Sequence, residues 1–273
     1  MEILPVNRNI LRTAFAAAVL AVLLFPCPIR AQEPANKPGA VAPAAAQTTP
    51  EAAAAAAAEK AKARLDQLKN DWASLSKYKE ADLALGPPAA GEKRVVFMGD
   101  SITFNWHLDE SFPGKPYINR GINGQTSPQM LIRFRQDVID LKPKVVVILA
   151  GFNDIAGNTG PTTPEQIVGY MASMAELATA NHIRVVLCST TPAFDFSWHP
   201  GAKLAPKVMA LNEFIKAYAA EKHYVYVDYH TALKNEEGGL PESLSKDGVH
   251  PNAAGYAIMK PLVEAGIKKA MKW

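Results

Sequence analysis

Cysteine is nearly absent: Cys27 and Cys188 are the only two in 273 residues. That excludes a disulfide-stapled scaffold. A charge excess is also missing, with 29 Lys+Arg against 26 Asp+Glu. A nucleic-acid binder of this size carries a clustered basic surplus, so no nucleic-acid partner is expected. The longest uncharged apolar run, Ala14 to Phe25, stops at Pro26. It falls short of the roughly 20 residues that a membrane-spanning helix needs. No GxGxxG follows the first strand pattern and no Walker-type lysine occurs, which disfavours a nucleotide cofactor. The histidines at 107, 182, 199, 223, 230 and 250 form no paired helical spacing for zinc, so no metal is expected. A G-x-S-x-G turn is missing too. What remains is an ordinary folded composition, 48% hydrophobic and 20% charged, long enough for one or two domains.

The first residues read as an address. Arg8 and Arg12 precede the apolar run, and Ala31 offers a small residue for cleavage. A basic start, a short apolar core and a small residue make a secretory signal peptide over 1–31. An uncleaved anchor is the alternative. Without these residues, which hold Arg8, Arg12 and Arg30 against Glu2, the net charge falls from +3 to +1. An exported protein, periplasmic or extracellular, is expected, with no stable membrane insertion after cleavage. Residues 32–58 are rich in Ala, Pro, Gln and Thr. They lack the branched and aromatic side chains that offset ordering entropy, so they read as a flexible spacer, helical at most in its alanine run. From Glu59, the residues Leu65, Leu68, Trp72, Leu75 and Tyr78 recur at spacings of 3, 4, 3 and 3. That periodicity predicts one amphipathic helix over 59–85, packed on the domain that follows. Its pattern ends at Gly86-Pro87-Pro88.

The compact domain spans 94–273. Short Val- and Ile-rich runs predict strands at Arg94–Met98, Tyr117–Asn119, Val145–Ala150, Arg184–Ser189 and Val225–Asp228. Near-continuous apolar strands are those buried on both faces. Helical patterns between them start at Ser127-Pro128, at Thr163-Pro164, near Pro206 and after His250-Pro251. Alternating strands and helices predict an α/β class fold, with a parallel sheet of about five strands between helical layers. Functional groups then gather at the carboxyl ends of the strands.

Four short motifs fall at such places. Gly99-Asp100-Ser101 follows the first strand, putting a hydroxyl at the tip of a buried element. Alone, the same turn is equally a helix cap. Gly121, in NRGING, lies where the second strand ends and lets a backbone amide approach a ligand, unless it is an ordinary turn glycine. Gly124 reads as a turn residue. Asn153, in GFND after the third strand, offers a carboxamide donor, while Asp154 suits a structural turn. Asp247 and His250, three apart before the last helix, can set a carboxylate against one imidazole nitrogen. Together they supply every role of acyl transfer. Ser101 is the nucleophile, His250 the base and Asp247 its orienter. The Ser101 and Gly121 amides with Asn153 form the oxyanion hole.

These blocks, GDSI, NRGING, GFND and DGVHP in this order, resemble those of the SGNH (GDSL-type) hydrolases over about 94–270. The stretch LKPKVVVILAG is similar to the branch of platelet-activating-factor acetylhydrolase-like and carbohydrate-esterase-like proteins. The resemblance implies a three-layer α/β/α, flavodoxin-like fold and ester hydrolysis without a cofactor or metal. Phe152 stands where many members carry a small or hydroxyl residue, which narrows the pocket floor. Phe104 and Trp106 after the nucleophile, and Trp198 and His199 after the fourth strand, are further pocket candidates. With no apolar lid in the sequence, the expected substrate is a short-chain, foremost acetyl, ester of a carbohydrate or small alcohol. A lipase, lysophospholipase or thioesterase, and a non-catalytic carbohydrate- or envelope-binding module, are the alternatives. Oligomeric state is not readable from the sequence.

Overall fold

A computed structural model describes residues 49–195, 201 and 204–272. The expected leader, 1–31, and residues 32–48 of the expected spacer lie outside the described residues. The core is a parallel sheet of β1 (Val95–Gly99), β2 (Tyr117–Gly121), β3 (Val145–Leu149), β4 (Arg184–Cys188) and β5 (Val225–Val227), in the order β2-β1-β3-β4-β5. Residues of β1, β3 and β4 are wholly or nearly buried because both sheet faces are covered. Even and odd positions then feed two separate cores. Val96, Met98, Val146 and Ile148 meet α5 (Ser127–Phe134), α7 (Pro164–Ala180) and α8 (Ala205–Glu221). Val95, Phe97, Val145 and Val147 meet α4 (Leu108–Ser111), α9 (Tyr229–Leu233) and α10 (Ala253–Ala270) on the other face. A π-helical turn, Arg135–Ile139, extends α5. This is the three-layer α/β/α fold that the sequence predicts.

Sheet order places the site. The chain leaves β1 in one direction for β2 and returns to the other side for β3, so the edge between β1 and β3 is the switch point where α/β sheets bind ligands. Two short helices start there: α3 (Ser101–Phe104) after β1 and α6 (Phe152–Ile155) after β3. Gly151 opens α6 at φ 110°, a conformation that disfavours any side chain, and a Cβ there would stand 2.5 Å from Leu211. Asp154 is 2% exposed and accepts from the Ser127 amide and hydroxyl, at 2.9 and 2.5 Å, pinning α6 to the start of α5. Its predicted structural role fits these bonds. Arg133, fully buried, pairs with Asp137 and donates to the carbonyls of Gly99 and Arg120, tying together the carboxyl ends of β1 and β2.

The single helix expected over 59–85 is corrected. Helix α1 spans Pro50–Asn70, so the alanine run of the spacer is helical from Pro50 on. Thr49 caps it, and alanine is the best helix former. The helix then stops, because Asp71 accepts from the amides of Leu75 and Ser76 and folds 71–78 into a turn. A separate α2 covers Lys79–Leu85. Trp72, Leu75 and Tyr78, which the periodicity places on one helix, lie in this break. Their backbone is gripped instead: Gln129, Gln125 and Gln136 donate to the carbonyls of Trp72, Ala73 and Leu75.

Candidate active site

Ser101 begins α3, so its position is set by strand and helix backbone. Asp100 caps the helix, its Oδ1 accepting from the Ile102 amide at 2.9 Å. His250 comes from the loop before α10, 149 positions away, and its Nε2 stands 2.8 Å from Ser101 Oγ. Its Nδ1 stands 2.6 Å from Asp247 Oδ2. The other Asp247 oxygen accepts from the Ser245 hydroxyl and from the amides of Val249 and His250. Burial raises the Asp247 carboxyl, but the His250 amide and ring and the Val249 amide outweigh it and bring the pKa down to about 2. Asp247 is therefore an anion wherever the imidazole gains a proton. Tyr256 of α10 donates to the Ile102 carbonyl at 2.7 Å, joining the base-bearing end of the chain to the nucleophile helix.

A cavity of about 380 Å³ opens over this array. Ser101, His250 and Asn153 lie in its wall with Gly124. The rest is the carboxamides of Asn105, Asn123 and Asn158, and two apolar side chains, Phe152 and Val249. Phe152 is backed by Ala193, Leu204 and Val208, as a pocket floor would be. Asn153 Nδ2 donates to the Gln125 carbonyl at 3.0 Å and, over a long 3.4 Å, to Asp100 Oδ2, the weaker contact being the one that an oxyanion in the cavity would replace.

Three expected site residues stand elsewhere. Gly121 is no oxyanion donor: its amide donates to Asn119 Oδ1 at 2.8 Å, and it does not line the cavity. Its reason for being glycine is steric, since a Cβ would lie 2.2 Å from the Phe104 amide. Gly124, read as a turn residue, is the glycine on the cavity wall. Trp106 is 3% exposed and stacks on Tyr256 with centroids 5.2 Å apart, so it is core. Phe104 is exposed and lines a neighbouring hollow that lacks Ser101. Trp198 and His199 lie outside the described residues. Sequence reasoning missed Asn105, Asn123 and Asn158: Asn105 and Asn158 lie outside the four blocks, and within NRGING the glycines drew the reading away from Asn123. Another hollow, about 350 Å³ beside His182 and His223, sits at the amino ends of β4 and β5, away from Ser101. Among the described residues no cluster of His, Cys, Asp and Glu could hold a metal. Cys188 is free and wholly buried, and burial pushes its thiol up to about 12.

Residues 97–258 match the GDSL-like lipase/acylhydrolase family. The chain belongs to that family. It is a carboxylic ester hydrolase of the GDSL type. A solved GDSL-like lipase from Bacteroides thetaiotaomicron is 46% identical, with a TM-score of 0.70, over 73% of this chain and all of that one. An acetylxylan esterase of Geobacillus stearothermophilus is 28% identical over 52% of this esterase and 67% of its own length. Esterase TesA of Pseudomonas aeruginosa is 27% identical over 66% of this chain and 94% of its own.

Proposed function

We propose that this esterase is exported and removes short acyl groups, acetyl foremost, from hydroxyl-rich alcohols such as carbohydrates. The observation that carries this reading is the Ser101–His250–Asp247 chain of contacts, 2.8 and 2.6 Å, opening onto a cavity of about 380 Å³ where asparagines stand beside Phe152 and Val249. Ser101 Oγ attacks the ester carbonyl carbon while its proton passes to His250 Nε2. The Asp247 anion holds the imidazolium. The oxyanion takes hydrogen bonds from the Ser101 and Gly124 amides and from Asn153 Nδ2. Collapse breaks the bond to the alcohol, which leaves with the proton from His250. Water, deprotonated by His250, then releases the acid from Ser101.

Substrate size follows from the wall. Phe152 and Val249 are the two apolar side chains of the wall, a short patch that suits a small acyl group. The carboxamides of Asn105 and Asn123 offer both donors and acceptors, which is what sugar hydroxyls need. Acetylxylan esterase activity in a relative supports the carbohydrate reading. Export rests on the basic, apolar and small-residue order of residues 1–31.

Ser101→Ala is expected to lower p-nitrophenyl acetate turnover by about three orders of magnitude or more. Wild-type turnover in that variant would end the assignment. Rates on p-nitrophenyl esters should fall from acetyl to octanoyl to palmitoyl, and acetylated xylo-oligosaccharides should be deacetylated. A palmitoyl optimum would instead favour a lipase or thioesterase.

A further inference from the structure

Asn158 lies in the turn after α6, five residues beyond Asn153, and it is exposed at the cavity wall. Its Nδ2 has two hydrogens, and both are committed to the oxyanion side of the site. One goes to Asn153 Oδ1 at 3.0 Å and the other to the Gly124 carbonyl at 3.1 Å. Its own amide donates to the Asn153 carbonyl at 3.1 Å. At the opposite end of the Asn153 carboxamide, Nδ2 donates to the Gln125 carbonyl at 3.0 Å.

A carboxamide has nearly the same shape after a half-turn, but its chemistry reverses. Turned over, Asn153 would aim a carbonyl oxygen at the developing negative charge. Two backbone carbonyls forbid this. The Gly124 carbonyl can only accept, so Asn158 must present its NH2 there. That NH2 in turn demands an acceptor from Asn153, which must offer Oδ1. The Gln125 carbonyl requires the same orientation from the other side.

We propose that Asn158 is a positioning residue, which acts through Asn153 to hold the oxyanion hole in its donating state. This rests on the reading of Asn153 as an oxyanion donor.

Kinetics on p-nitrophenyl acetate test it with Asn153→Ala, Asn158→Ala, Asn158→Asp and the double alanine variant, each at a temperature below its measured unfolding midpoint. Asn153→Ala should lower kcat by about 10²- to 10³-fold. Asn158→Ala should lower kcat by roughly ten- to a hundredfold, as other outer-shell partners do, with KM nearly unchanged. In the Asn153→Ala background, removing Asn158 should change kcat by less than about twofold, because the group it orients is gone. Asn158→Asp keeps the shape but loses the donors, so it should fall with the alanine variant, and it carries the test if that variant unfolds. Wild-type kcat in both Asn158 variants overturns the proposal, and so do losses that multiply in the double variant. A damaged Asn153→Ala beside an intact Asn158→Ala sinks this inference alone. An intact Asn153→Ala sinks the oxyanion reading beneath it.

Discussion

Asp100 and Asp247 both feel the charge of His250, yet their carboxyls move in opposite directions. Asp247 is part-exposed and wrapped in donors, so its pKa falls to about 2 and its charge is constant across any useful assay range. Its contribution to stability is present above the unfolded carboxyl value, and it is lost as pH falls through about 2. Asp100 is 1% exposed, and burial, with Asp154 nearby, raises it to about 7 against the pull of the Ile102 amide and His250. The folded chain thus keeps a proton that the unfolded chain has released above about 3.9. The contribution of Asp100 to stability therefore declines as pH climbs from about 4 to about 7. Asp100→Asn removes that decline. Urea unfolding at about pH 4.5 and about pH 7.5 should show the wild type losing ground to the variant, and parallel behaviour would refute the buried proton. At this scale the sequence was legible where the motif names a side chain. Ser101, Asn153, Asp247 and His250 come together as read. It misled where the motif offers two glycines: nothing in NRGING says that Asn119 will occupy the Gly121 amide and leave Gly124 on the cavity wall.

Elements were most readable where burial is two-sided. Each strand begins or ends within two residues of its expected place, because a Val/Ile run flanked by turn residues has few other uses. The segment before the sheet was least readable. Leu65, Leu68, Trp72, Leu75 and Tyr78 keep a helical rhythm across a break that Asp71 makes by local hydrogen bonds, and periodicity cannot see that competition. This segment is clasped to the hydrolase core by side chains. Tyr78 donates to the Gly121 carbonyl, and Asp82 pairs with Arg120, itself stacked over the Tyr78 ring at 4.7 Å. Arg120 is only 5% exposed. Asp82→Ala leaves that guanidinium buried without its partner, which typically costs about 3 kcal/mol or somewhat more. Urea denaturation should register this loss, and an unchanged midpoint would mean that α2 is not held by the pair.

For the molecule as a whole, nothing among the described residues is a helix long and apolar enough to cross a membrane. The export reading therefore turns on residues 1–31. Expressed in a bacterium with its leader, the protein should be recovered outside the cytoplasm. Its N-terminus, read by mass spectrometry, should lie at or near Gln32. An intact Met1 on cytoplasmic protein would refute that part of the proposal. The global arrangement was legible because strand–helix alternation permits few topologies, and right-handed crossovers narrow them further.

The nucleophile is delivered by the first strand of the sheet and the base by the last loop, 149 positions downstream. A chain that has not yet brought His250 to Ser101 therefore lacks the complete triad. The reaction doubles as a clock for the final docking event: the moment at which turnover returns during refolding dates the arrival of the C-terminal helix, with no label needed.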